Sequence, residues 1–427
     1  METNKNEILF QRNPAIDILR ALTVLLMIFV NHFWAVSGVP QWMQHAGRSD
    51  DFLGLADVVF PVFLFVVGMS IPYAIENRFK RGLSETNTFL HIFSRFFALL
   101  VMGAFIENSF SRMAAEAPMN TAFYKIFFVV GLFMVWNAYP KTDSEKRKRI
   151  YTILQVCGVI LLAYLAFIYH DQARGDSEAI GFFRGRYGIL GSIAWSYLAC
   201  AFVYMFVRNN VSKIFYFWLG LLLYCVATTA TNTAEPFLLI TREANILRSL
   251  MGIVQIGGFT FMTMGGVLFT LLLVKYSDLE ARKRIIFYAS LTAITALLAI
   301  IAHQLWIISK PAATPTWLLY CVAITIAVYG LLQWAISAGK EKWFNIIKAG
   351  GTATLSCYLI QYFMESMFYS NSFVIHGIAV RFPKSINALL PEFMQQDIGG
   401  VIKCIIWAFL CVLFVGLLER YKIKLKI

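Results

Sequence analysis

The sequence predicts an all-α fold, a polytopic membrane helical bundle of about 11–12 transmembrane helices with no soluble domain large enough to fold alone. Three observations predict it. Of the 427 residues, 59% are hydrophobic and only 14% are charged. With a mean hydropathy of +0.65, this is more apolar surface than a water-soluble chain of this length can hide. Apolar stretches near the length of about 20 residues that a bilayer core demands recur from one end to the other. Lys and Arg alternate between rich and poor loops, as successive crossings require.

In chain order the expected spans are Ile18 to Val36, Ala56 to Ile75, His91 to Asn108, Ala122 to Trp136, Ile150 to Ile168 and Gly188 to Val207. They continue with Ile214 to Thr231, Leu250 to Val274, Ile285 to Ile307, Trp317 to Ile336, Gly350 to Phe368 and Gly399 to Leu418. The fourth carries Lys125 and the sixth begins in a Gly-rich stretch, so these two have the weakest span signal. No short apolar stretch followed by small residues marks a cleavable leader, so the first span is expected to be retained as its own insertion signal.

Basic residues resist translocation and mark the cytoplasmic side. The N-terminal segment, alternate loops and the C-terminal tail carry 24 Lys and Arg, against 10 in the other six loops. Both termini are therefore expected in the cytoplasm of a multi-pass cell-membrane protein, the inner membrane if bacterial. The net charge of +13 is explained by short loops facing one leaflet, so no nucleic-acid partner is needed. Seven Cys fall in or beside the spans with no CxxC or Cys-His spacing, which makes them small packing residues rather than ligands. No metal site is expected. HExxH, GxSxG, GxxxxGK[ST] and a strand-following GxGxxG are absent, which argues against metalloprotease, hydrolase, ATP-driven and dinucleotide chemistry.

An ionisable side chain in hydrocarbon costs about 2.5–3.5 kcal/mol on insertion scales, so each one points to a partner, a cavity or a site. The first quarter of the chain is rich in them. Asp17 and Arg20 share a helical face and are placed to pair. Asn31 and His32 follow roughly 17 Å farther along the same helix. The next loop holds Trp42, His45, Arg48, Asp50 and Asp51, more polar groups than a turn requires, and Asp57 opens the second span. Arg95 and Glu107 bracket the third. Pro61 and Pro72 each remove a backbone donor from the second span, which bends it or exposes a carbonyl. Among six His, only His45 sits in a polar loop near another candidate; His91, His170, His303 and His376 are expected to make structural hydrogen bonds.

The segment RNPAIDILRALTVLLMIFVNHF, then QHAG, then ADVVFPVFLFVVGMSI resembles the transmembrane acetyltransferase family typified by heparan-alpha-glucosaminide N-acetyltransferases. That family's pattern runs Arg, Ser-x-Asp, x-x-Arg-Gly, an apolar span ending Val-Asn, His-Ala, then Ala-Asp-x-x-x-Pro-x-Phe-x-Phe-x-x-Gly. The matching positions are Arg12, Asp17, Arg20, Val30, Asn31, His45, Ala46, Ala56, Asp57, Pro61, Phe63, Phe65 and Gly68. Arg95 with Gly103 resembles the third helix, and Arg186 to Leu198 is a faint echo of a Pro-Gly-Val-Leu-Gln-Arg segment. Ser309 to Leu319 (SKPAATPTWLL) and Ala349 to Leu359 (AGGTATLSCYL) resemble the Lys-x-x-Thr-x-Ser-x-x-Leu and Gly-x-Asn-x-Leu-x-x-Tyr elements. Ala15 and Ala21 stand where the family has Ser and Gly, and Gly191-Ser192 replaces Gln-Arg.

The resemblance implies a single integral-membrane acyltransferase-like domain over residues 1–427, with its best-matching core at 12–110 and C-terminal helices at 285–420. It also implies acetyl-CoA as co-substrate, an active-site His and Asn on the non-cytoplasmic side, and an amino sugar of glucosamine type or a related glycan as acceptor. On that reading His45 is the general base or transient acyl carrier. An imidazole suits either role because its unperturbed pKa is about 6.5. Asn31 donates to the thioester oxygen, a role worth about 3 kcal/mol, and Asp57 orients His45 or lines the pocket. Arg20 and Arg95 are expected either as the cations for CoA or as members of structural ion pairs. Membrane lipid and a second copy in a homodimer complete the expected partners. Two alternatives stand beside this: an O-acyltransferase of the wider membrane group, whose first helix carries Arg followed about eleven positions later by His, here Asn31 with His32 next to it, or a secondary transporter or flippase.

Overall fold

The computed structural model describes residues 13–110, 113, 117–170, 181–182, 187–233, 235 and 253–427. Each of the twelve apolar stretches is helical, and among the described residues there are thirteen α-helices because the eleventh stretch is divided. They are α1 Pro14–Asn31, α2 Leu55–Lys80, α3 Glu85–Ser109, α4 Thr121–Trp136, α5 Glu145–Ile168, α6 Gly188–Val207 and α7 Val211–Thr228. The rest are α8 Ile253–Lys275, α9 Ala281–His303, α10 Pro315–Ser337, α11 Lys348–Thr352, α12 Thr354–Tyr369 and α13 Asp397–Arg420. One small antiparallel hairpin, β1 Ser372–Ile375 with β2 Ile378–Arg381, follows α12. Arg12 and Arg186 lie outside the described residues.

Ten of these helices are long and apolar enough to cross a membrane, among the described residues, so the chain is a multi-pass helical membrane protein. The 16-residue α4 rises about 24 Å, short of a hydrocarbon core of about 30 Å. The eleventh stretch breaks at Ala353 (φ −133°, ψ 43°), just after two glycines and a β-branched Thr352, residues of low helix propensity. Helix starts follow their caps: the side chains of Asn120, Asn210 and Thr314 accept the amides of Phe123, Lys213 and Trp317, and Pro315 occupies the first turn of α10, where a missing N–H costs nothing.

The chain divides into two compact units, residues 1–23, 40–97 and 192–345 in the first and 24–39, 98–191 and 346–427 in the second. In the first, α8 is the central element, 83% buried over its span, whereas α9 is 17% buried and turns Ile285, Ile294, Leu297 and Ile301 outward, the residues expected against lipid. α8 lies along α2 with backbones nearly touching. A Cβ at Gly68 would run into the Thr263 carbonyl, and one at Gly266 into that of Phe65, the small-residue packing that van der Waals contact between membrane helices favours. Ile71, Ile75, Met264, Val267 and Leu271 continue this core toward Tyr197 and Tyr204. The one carboxylate buried there, Glu76, accepts from the Tyr204 hydroxyl at 3.2 Å and from Arg208 at 2.7 Å, so its charge is matched.

In the second unit α4 packs on α5 and α12, and Phe105, Tyr124, Phe128, Tyr169 and Phe182 form an aromatic cluster. The C-terminal segment returns to the end of α4: Ala138 donates to the Lys424 carbonyl at 2.8 Å and Lys426 to that of Trp136 at 2.9 Å. Six of the seven cysteines are buried as expected, and Cys157 is exposed on α5.

Candidate active site

The site in the first unit begins with the start of α2. Asp57 lies in its first turn, where a negative charge is favoured by the helix dipole. Its side chain is 1% exposed, and the preceding loop folds over it. Asp57 Oδ2 accepts the Ala46 amide at 2.8 Å and Oδ1 accepts from His45 Nδ1 at 2.7 Å. The loop comes this close because Gly54 lacks a side chain that would otherwise meet the Gln44 carbonyl. Pro61 has no N–H to give to the Asp57 carbonyl four residues earlier. Trp317 of α10 supplies the replacement, donating Nε1–H to that carbonyl at 3.1 Å. The proline thus leaves α2 continuous and creates the acceptor that ties α10 to the site.

Lys310 completes the cluster. Its Nζ lies 3.7 Å from Asp57 Oδ1, donates to the Ala56 carbonyl at 3.2 Å and stands 3.3 Å from His45 Nδ1. An ammonium and an imidazole N–H cannot both donate across the same contact. The carboxylate is the nearer partner of Nδ1 and accepts only, so Nδ1 carries the proton toward Asp57 and Nε2 keeps its lone pair. The His45 side chain is 55% exposed, so that lone pair faces a reachable surface. Burial holds the Lys310 ammonium below its ordinary pKa, against the opposing pull of Asp57. The arrangement is a carboxylate–imidazole pair with the base end open and a cation behind the carboxylate.

Two loops are stapled to hold it. Asp51 takes the Ile308 amide at 2.8 Å and His303 Nε2 at 2.8 Å, and the Ser309 hydroxyl donates to the Arg48 carbonyl at 2.8 Å. Burial pushes the Asp51 carboxyl up, but the Ile308 amide and His303 outweigh it and hold it below its ordinary pKa. His303, expected to make a structural hydrogen bond, makes one to Asp51.

The remaining candidates make contacts of their own. Arg20 pairs with Asp17 at 3.1 Å, as the spacing predicts, and donates to Ser70 on α2 at 2.6 Å. The Arg95 guanidinium lies 4.8 Å over the Tyr197 ring, with its Nε buried and unpartnered. Asn31 ends α1 and belongs to the second unit. Its neighbour His32 is 1% exposed, stacked on Trp407 at 4.5 Å, with Nε2 2.6 Å from the Tyr369 hydroxyl. That ring is packed and engaged, unlike His45. The sequence alone assigns no role to Lys310 or Trp317, although both fall in SKPAATPTWLL and Lys310 is the lone basic residue of its loop. Their partners lie more than 250 residues away in the chain.

Against known proteins, the chain matches two curated relatives, the heparan-alpha-glucosaminide N-acetyltransferases of Mus musculus and Homo sapiens, each at 35% identity over 98 residues. The match covers 23% of this chain and 14% of each relative. A family described as a domain of unknown function, DUF5009, matches residues 12–235. That stretch is more than half of the sequence and contains His45, Asp57 and all of α2, so the chain belongs to the DUF5009 family.

Proposed function

We propose that this protein is an acyl-CoA-dependent membrane acetyltransferase that acetylates an amino sugar of glucosamine type, or a related glycan, at the His45 site. The observation that carries the reading is the His45–Asp57 pair: a buried carboxylate holds Nδ1–H at 2.7 Å and leaves Nε2 open on a half-exposed ring. The 98-residue likeness to N-acetyltransferases supports the class of reaction.

In the proposed step Nε2 takes a proton from the acceptor amine as its nitrogen bonds to the thioester carbonyl. The C–S bond then breaks, and the imidazolium returns the proton to the departing CoA thiolate. Asp57 fixes the tautomer and balances the imidazolium charge, the usual use of a base held by a third group. Asn31 is the proposed donor to the developing oxyanion. Arg20 and Arg95 are the proposed cations on the CoA side. The excess of basic residues in alternate loops supports cytoplasmic termini and acetyl-CoA entering from the cytoplasm, with the acceptor outside.

The test is purified protein with radiolabelled acetyl-CoA and glucosamine, comparing wild type, His45→Ala and His32→Ala. Transfer lost with His45→Ala and kept with His32→Ala supports the reading. Loss only with His32→Ala favours O-acylation through the first helix, and accumulation of a sugar in vesicles without CoA release favours transport.

A further inference from the structure

In the second unit β1 and β2 close on a two-residue turn in which His376 (φ 45°) and Gly377 (φ 78°) are both left-handed, the conformation a tight hairpin needs. The register sets Phe373 opposite Val380 and Ile375 opposite Ile378, so these four share one face; Val374, Ala379, Ser372 and Arg381 lie on the other. β1 is fixed to the start of α4. Asn120, which caps α4, donates its amide to the Val374 carbonyl at 3.0 Å and its Nδ2 to that of Ser372 at 2.8 Å, and the rings of Phe373 and Phe123 lie 5.4 Å apart. The outer strand has no such cover. All four residues of β2 are exposed, Ile378 at 71% and Val380 at 53%. Phe382, just past the strand and 6.3 Å from the Phe373 ring, is 50% exposed.

We propose that this hairpin is seated in the bilayer, with Ile378, Val380 and Phe382 among the lipid acyl chains of the leaflet that meets the start of α4. Three observations name lipid as the occupant. The hairpin sits on the starting end of the 16-residue α4, which is about 6 Å too short for a hydrocarbon core, and its apolar face makes up that length. The turn also reaches round to the membrane side of α5: His376 Nε2 lies 3.1 Å from the Tyr164 hydroxyl. Tyr164 is four residues before the end of α5, about 6 Å inside it, and shares a helical face with Ile160 and Phe167, both exposed on a helix that is itself long and apolar enough to span. Finally, residues 371–391 contain Arg381 and Lys384 but no Asp or Glu, so the charges there are those that suit headgroup phosphates. The depth is limited by the backbone. The unpaired edge of β2 is not tolerated in hydrocarbon, so the hairpin lies at the boundary, its apolar side chains inward and its edge and Arg381 toward headgroups and water.

The experiment attaches one nitroxide at a time to the full chain in phosphatidylcholine nanodiscs and measures EPR power saturation by oxygen, which concentrates among acyl chains, and by a water-soluble nickel chelate. Cys157→Ser removes the exposed thiol, the other six being buried. Labels are carried by Ile378→Cys, Ala379→Cys, Val380→Cys and Arg381→Cys, all at exposed positions that tolerate them, with Ile160→Cys on α5 as the hydrocarbon reference. The expected result alternates along the strand. The oxygen-to-nickel ratio at Ile378 and Val380 approaches that at Ile160 and exceeds that at Ala379 and Arg381 by about threefold or more. A uniformly low ratio at all four places the strand in water and overturns the proposal. Poor access of both reagents at Ile378 and Val380 means that protein covers the strand, a second copy if the spectra also show spin–spin broadening, and overturns it as well.

Discussion

His45 is useful only as Asp57 holds it. The carboxylate selects the Nδ1–H tautomer, so Asp57→Asn presents an amide with no such preference while leaving the shape intact. The expected result is acetyl transfer at least 100-fold slower, with about 1–3 kcal/mol of stability lost because Lys310 keeps its charge beside a neutral amide that can no longer accept at both positions, read from initial rates and a thermal melt. Lys310→Met removes the cation beside a carboxylate that is 1% exposed. Because Lys310 is itself partly exposed, the expected cost is about 1–3 kcal/mol of stability rather than that of a fully buried pair. Asp51 supplies the pH dependence. Its folded pKa is lowered, so its contribution is present above the ordinary carboxylate value of about 3.9 and is lost as pH falls through the lower folded value. Asp51→Asn is therefore expected to melt below wild type at pH 6, and the gap is expected to close as the pH falls below about 4.

Between elements, the contact that matters most is α2 on α8. Gly68 and Gly266 let the two backbones approach until each meets a carbonyl of the other helix. Gly68→Leu must push α8 away, and is expected to cost about 3 kcal/mol or more, seen as loss of the monodisperse species on size exclusion. The tie between α10 and α2 is more specific. Trp317→Phe keeps the packing and leaves the Asp57 carbonyl without its donor, an expected loss of about 1–3 kcal/mol. Gly68 stands out in the sequence because the resemblance needs a small residue there; the reason it is needed, the Thr263 carbonyl, is visible only in the packed helices.

Over the whole molecule, the pattern of Lys and Arg sets the expected orientation. A single reporter thiol at Ser49, in the loop that carries His45, is expected to react with an impermeant maleimide added outside, and one at Ser144 only after permeabilisation. The reverse pattern would put the site on the side where acetyl-CoA is already free and remove the need for a membrane crossing.

Twelve helical stretches, their order and the multi-pass character were determined by sequence alone, because a bilayer core imposes one requirement, length and apolarity, that ten of the described helices meet locally. His45, Asp57 and the Asp17–Arg20 pair were legible for a similar reason: they are polar groups set against apolar surroundings at short spacings. Only the tertiary structure decided that Lys310 stands beside Asp57 and that Trp317 fills the bond Pro61 leaves open. Those partners are brought together by helix packing between segments hundreds of residues apart, and no local periodicity records which distant helix a given face will meet.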